Sequence, residues 1–159
     1  MSSNYKSLTV EEKLFDNAAL LPEVIKLLNE GHTVTLRLRG FSMRPFLEDR
    51  RDSAILKKAE NPKVGDPVLA EISPKHYVLH RIISIKGENV VLRGDGNIAT
   101  EECQLKDVHA VAIGFYRKGR DVADMTTDKK WRAYSFVWTR LLPIRRYLLA
   151  IYRRIIKFL

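Results

Sequence analysis

Cysteine is almost missing from this chain. Cys103 is the only one in 159 residues, so no intramolecular disulfide framework can hold the fold together. A lone cysteine reads as a small, partly buried residue rather than a reactive thiol. Acid is missing from the last fifth: Lys129 to Leu159 carries nine basic residues and no Asp or Glu. Residues 1–128 balance their charges, so the net charge of +9 belongs to the tail alone. No run of 18 apolar residues occurs, so no spanning helix is predicted. The opening residues Met1 to Leu8 have no apolar stretch of the kind a secretory signal needs. The expected location is therefore the cytoplasmic side, with peripheral attachment to a membrane. There is no internal repeat and no low-complexity tract. What is present is a 45% apolar composition, enough for one packed domain with an appendage.

The apolar period changes along the chain. Thr9 and Glu12 fit a capping box, which predicts a short helix through Leu14 and Phe15. Pro22 suits the first turn of a second helix, Glu23 to Asn29, which Gly31 stops. Val34, Leu36 and Leu38 then alternate with Thr35, Arg37 and Arg39, a half-exposed strand. Further strands are predicted over Arg51–Leu56, Pro67–Ile72, Tyr77–Ile85, Val90–Arg93 and Val108–Tyr116, with turns at Ser73-Pro74-Lys75 and Lys86–Asn89. This predicts a mainly β body of about six to eight strands, a small barrel or folded sheet. The divisions are a helical segment 1–31, a β domain 32–118, a polar linker 119–128 and a helical tail 129–159.

Three short boxes sit at strand edges: Gly40-Phe41-Ser42-Met43-Arg44-Pro45, Leu79-His80-Arg81-Ile82, and Arg93-Gly94-Asp95-Gly96-Asn97. They bring a hydroxyl, an imidazole and a carboxylate in the order Ser, His, Asp. A serine hydroxyl is a poor nucleophile until a base takes its proton. Imidazole is such a base near neutral pH, and a carboxylate can hold its tautomer. Each box alone is weak; three in order form a specific pattern.

Over roughly residues 32–118 this pattern resembles the signal peptidase superfamily, the S24/S26 serine peptidases that also include the LexA-type repressors. It is similar to the branch whose base is histidine rather than lysine. The resemblance implies a signal-peptidase-like folded sheet or partly open barrel. It implies Ser42 as nucleophile, His80 as base and an acid near Asp95 as the orienting group. Asp95 is preferred, and Glu101 is the alternative. It also implies a substrate groove at Gly40, Phe41, Met43 and Pro45, and no cofactor. The oxyanion donor would be the Ser42 amide; Gly40 stands where some members add a hydroxyl. Lys57, Lys58 and Lys75 do not fall in the matching box, which disfavours a Ser–Lys dyad. No helix-turn-helix pattern precedes Gly40, and no Ala-Gly or Cys-Gly bond lies upstream of Ser42, which disfavours a self-cleaving repressor.

The remaining candidates read as structural. Arg81 points away from His80 in a regular strand and is expected to pair with a carboxylate or the backbone. Asp52 and Asp66 read as turn carboxylates, and His32 and His109 as ordinary histidines. His76 and His80 share a strand face but have no ligand cluster around them at metal-binding spacing.

In the tail, Ile144, Tyr147, Leu148, Ile151, Ile155 and Phe158 fall on one helical arc, opposite Arg145, Arg146, Arg153, Arg154 and Lys157. Trp131, Tyr134, Trp138, Leu141 and Leu142 form a similar stripe before Pro143. An anionic membrane surface is the first expectation for residues 129–159. Packing on the β body, a protein partner or nucleic acid stand behind it, nucleic acid being disfavoured. The functional expectation is a serine endopeptidase acting on a peptide or preprotein of leader or signal type. The rival is a non-catalytic peptide-binding module of the same fold.

Overall fold

The computed structural model describes residues 7–9 and 17–158. The fold is mainly β, a curled half-barrel of largely antiparallel strands carrying, among the described residues, three α-helices. The strands are β1 (Ser7–Thr9), β2 (Thr33–Arg37), β3 (Ser53–Lys58), β4 (Pro67–Ser73) and β5 (His76–Lys86). They continue with β6 (Asn89–Arg93), β7 (Glu101–Gln104), β8 (Val108–Tyr116) and β9 (Asp124–Met125). The helices are α1 (Asn17–Asn29), α2 (Lys129–Arg140) and α3 (Arg145–Lys157). The sheet order is β1-β2-β3-β8-β4-β5-β6-β7, with β9 paired to β8.

Alternation decides most of the strands. β8 buries Val108, Ala110, Ala112 and then Phe115, and β3 buries Ala54 and Leu56. The curl divides the apolar interior in two. One core joins Leu21, Val24 and Leu28 of α1 to Val34, Leu56, Ala112 and Phe115. The other lies among Val68, Ile82, Val90, Leu92, Cys103 and Val108. Burial pushes the Cys103 thiol up to about 11, so it stays protonated and unreactive at neutral pH.

The N-terminal expectations need revision. Thr9 lies in β1, paired in parallel with Thr35. The capping partner Glu12 and the predicted turn through Leu14 and Phe15 lie outside the described residues. Pro22 sits inside α1 rather than at its start, because Leu21, Val24 and Leu28 extend one buried face across it. The predicted linker also carries structure, since β9 adds to β8 at Gly114 and Phe115.

The tail folds back on the sheet. α2 presents Trp131, Tyr134, Ser135 and Trp138 along one side, the spacing of a single helical face. Phe46 stacks on Tyr134 with centroids 4.6 Å apart and meets Trp131 edge-on at 4.9 Å; Phe115 also lies 4.9 Å from Trp131. Large rings in such contact bury much apolar area and fix α2 against the body. Among the described residues no helix is long and apolar enough to cross a membrane.

Candidate active site

Ser42 stands in the loop between β2 and β3, and this loop is fastened from several sides. Gly40 takes φ +87°, the left-handed region where glycine alone is unstrained, and its N–H donates to Asp49 Oδ1 at 2.7 Å. Asp52 is fully buried and closes the loop's base. Its carboxylate accepts from the amides of Glu48 (2.9 Å) and Lys118 (3.0 Å) and from Arg51 (2.8 Å). Burial alone would raise Asp52, but these donors outweigh it and hold the carboxyl below its usual range. Asp66 also serves a turn, accepting from the Lys63 amide at 2.9 Å. Both carboxylates are structural, as their turn positions suggested.

The third box presses directly on the first. The Gly96 N–H donates to Ser42 O at 2.7 Å. A Cβ on Gly94 would come within 2.4 Å of Ser42 O, and one on Gly96 within 2.6 Å of Phe41 O. Only glycine permits this approach. The Asp95 amide faces the Met43 sulfur at 3.5 Å. The Gly-Asp-Gly-Asn turn thus acts as a backing plate for the serine loop.

Ser42 and His80 line one cavity of about 300 Å³, together with Gly40, Met43, Asn97 and Glu101. Leu38–Gly40, just past the end of β2, and Tyr77–Leu79 of β5 form its sides. His80 is 3% exposed. Its Nδ1 lies 2.6 Å from Glu101 Oε2. The pair is a close polar contact rather than a well-aligned hydrogen bond, since neither atom makes one of good angular geometry. A carboxylate beside Nδ1 favours the proton on that nitrogen and leaves Nε2 as the basic one. Burial pushes His80 below the ordinary histidine range, and the Glu101 charge opposes that without cancelling it.

Asp95, the preferred orienting acid from sequence, is engaged elsewhere. Its carboxylate takes a bidentate pair from Arg81, Nε at 2.9 Å and Nη2 at 2.8 Å, and a bond from the Tyr134 hydroxyl at 2.6 Å. Trp138 Nε1 donates to the Asp95 carbonyl at 2.9 Å. Successive residues of a strand face opposite sides, so His80 and Arg81 meet different acids. Glu101 serves the histidine and Asp95 the arginine. Burial works against the charge of Arg81, but Asp95 outweighs it and holds the guanidinium above its usual range. Arg81 also donates to Gly65 O and Ser135 Oγ, both at 3.0 Å.

Of the predicted groove residues, Gly40 and Met43 line the cavity and Phe41 and Pro45 do not. The Phe41 ring is exposed and lies under the Arg44 guanidinium, 4.1 Å from Cζ to centroid. Pro45 O accepts from Tyr152 of α3 at 3.2 Å. In a loop this tight, neighbours in sequence cannot all face one side. Lys57, Lys58 and Lys75 are not among the lining residues. His76 is exposed, while His109 lies 3.7 Å from Glu71.

Sequence reasoning missed β7, which carries Glu101 into place beside β6. The signal was faint: Glu101-Glu102-Cys103-Gln104 has one apolar residue in four. It also missed the tail's part in the site. Tyr134 and Trp138 stand in the apolar stripe before Pro143, for which a membrane surface was the first expectation, yet both bond Asp95. No protein-family model matches this chain, and no curated protein matches it.

Proposed function

We propose that this protein is a serine endopeptidase of the signal-peptidase type, with Ser42 as nucleophile, His80 as general base and Glu101 as the group that orients His80. The observation that carries this reading is one cavity lined by Ser42, His80 and Glu101, with the carboxylate against Nδ1. His80 Nε2 takes the Ser42 proton as the hydroxyl attacks the carbonyl carbon. The tetrahedral intermediate forms, and its oxyanion is met by the Ser42 amide. The imidazolium then gives its proton to the leaving amine, and water repeats the sequence to release the acyl group. The substrate is a peptide or preprotein of leader or signal type. An extended peptide suits the β5 side of the cavity, where main-chain bonds give affinity and side-chain pockets give specificity. Treating the folded protein with a fluorophosphonate and mapping the adduct tests the assignment. Labelling at Ser42 is expected. A folded protein that stays unlabelled would favour the rival, a module of the same fold that binds extended peptides without cleaving them.

The pH dependence follows from His80. Its pKa lies below the ordinary value near 6.5, so the neutral, base-competent imidazole persists to lower pH. The acid limb of the labelling rate is expected to have its midpoint below about 6.5. Stability has the matching sign. Between the lowered folded value and the ordinary unfolded one, the unfolded chain binds more protons, so stability falls as pH falls through that window. His80→Gln should lose the labelling and flatten that part of the stability profile. An acid limb well above 7 in the wild type would count against His80 as the base.

For the tail, the reading is attachment to an anionic membrane surface through α3. With α3 packed on the body, Tyr147, Ile151, Ile155 and Phe158 remain exposed, each more than half. They continue a line from Ile144, and Arg146, Arg153, Arg154 and Lys157 stand exposed beside it. Arg145 departs from the basic arc and is 3% exposed. Cutting the tail away would strip Trp131 and Trp138 from the body, so point variants are the cleaner test. The full chain is expected to sediment with phosphatidylserine vesicles at low salt and less at high salt. Ile151→Glu with Ile155→Glu should abolish sedimentation at both. Equal sedimentation of that variant and the wild type would remove α3 as the anchor.

A further inference from the structure

A second cavity, of about 360 Å³, lies between the α2–α3 junction and strands β5 and β6. Its polar lining is unusual for a partly enclosed space. Arg81, Arg93 and Arg145 contribute three guanidinium groups, and Asp95 the only carboxylate among the described residues. Asp95 is already committed to Arg81 in a bidentate pair. That leaves two positive charges in the lining without an acidic partner there. Arg145 is 3% exposed, although a cation is normally buried only with a counter-charge. Its Nη2 donates to Trp138 O at 3.0 Å and its Nη1 to Asn97 O at a long 3.4 Å. The Trp138 ring centroid lies 5.3 Å from the Arg145 Cζ. Two neutral carbonyls and one ring face do not replace a counter-charge. The Nε atoms of both Arg93 and Arg145 are buried and have no hydrogen-bond partner among the described residues. Arginine cannot shed its proton to escape such a position. Burial and repulsion from Arg93 and Arg81 act against the charged form of Arg145, and Asp95 opposes them incompletely.

We propose that this cavity is a binding site for a phosphate-class oxyanion held between Arg93 and Arg145. A dianion matches the excess of two positive charges. Guanidinium forks suit the oxygens of phosphate, which accept several N–H bonds at once. Val64, Ile82 and Leu142 supply apolar walls that keep the local dielectric low and strengthen the pairing. The position gives the ligand a consequence. Arg93 adjoins Gly94, the residue pressed against Ser42, and Arg145 opens α3 and reaches Asn97. An anion bridging the two arginines ties the tail helices to the turn that backs the serine loop. The site does not depend on the peptidase reading, because no atom of Ser42 or His80 lines it.

Calorimetric titration of the full chain with inorganic phosphate at fixed ionic strength tests this, with sodium acetate as a second titrant and added chloride as the control. Saturable one-site binding of phosphate is expected, with acetate weaker and chloride silent. Each charge-assisted bond lost should weaken the affinity about tenfold or more. Arg93→Gln is the informative variant, since Arg93 is only partly buried and its Nε has no partner among the described residues. It should keep the wild-type unfolding temperature without phosphate and lose most of the rise that phosphate gives the wild type. Arg145→Gln should show the same loss, provided circular dichroism shows it folded. Absence of saturable phosphate binding by the wild type would overturn the proposal. So would a folded Arg93→Gln protein that binds phosphate as tightly as the wild type. Acetate binding tighter than phosphate would overturn the phosphate assignment in favour of a carboxylate.

Discussion

Ser42→Ala is expected to abolish fluorophosphonate labelling and to lower peptide turnover by at least about 10³-fold, while leaving the unfolding temperature within about 2 °C of wild type. The two halves of that expectation have separate causes. The serine loop is held by main-chain and buried groups, chiefly the bond from Gly96 N–H to Ser42 O and the Asp52 carboxylate at its base. The Ser42 hydroxyl is not among those supports, so its removal should leave the loop in place. Its loss does remove the only atom that can carry the acyl group in the proposed mechanism. Glu101→Gln should act in the same direction with a smaller effect, roughly 10- to 10⁴-fold, because an amide cannot stabilise the imidazolium as a carboxylate does. The Glu101 side chain is 35% exposed, so its replacement should cost little stability. Turnover by a folded Ser42→Ala protein at the wild-type rate would end the nucleophile assignment. Undiminished rates in Glu101→Gln would leave His80 without an orienting acid.

The strands were legible because the sheet is half covered and period two is strong. Val108–Tyr116 was bounded as the structure has it, and the hairpin at Lys86–Asn89 lies where the turn residues fall. What failed to show was the meaning of the tail. A helix with opposed apolar and basic arcs reads the same whether its apolar face meets lipid or protein. In α3 the side that meets the body lies off that arc: Arg145 and Leu149 are buried, while Ile151 and Ile155 of the arc stay outside. The choice between Asp95 and Glu101 was hidden for a related reason. Spacing along a chain says that an acid is near a base, but not which side of a strand each one faces. Asp95 is held by Arg81 on the far face of β5 and by Tyr134, 39 residues away on a helix for which a membrane surface was the first expectation and packing on the body the second.

Asp95→Ala is expected to be the most destabilising single change in or near the site, by about 3–5 kcal/mol. Asp95 and Arg81 are each 1% exposed, and the pair is bidentate. Removing the carboxylate leaves a buried guanidinium beside Arg145 and Arg93 with no acid among the cavity's lining residues. It also deprives the Tyr134 hydroxyl of its acceptor, and burial next to Asp95 has pushed that hydroxyl far from ionising. Total stabilities of domains are only about 5–15 kcal/mol, so the unfolding temperature should fall by on the order of 10 °C. Replacing both partners tests the cause. Arg81→Met combined with Asp95→Ala removes the stranded charge and should recover part of the loss, since an apolar pair costs less to bury than a lone ion. Had Asp95 served His80, Asp95→Asn would instead lower the labelling rate at Ser42 with the unfolding temperature intact. Thermal denaturation and labelling of Asp95→Ala, Asp95→Asn and the double variant separate the two roles. A melting point for Asp95→Ala within about 2 °C of wild type would show that the Arg81–Asp95 pair is not what fastens α2 to the serine-bearing half of the sheet.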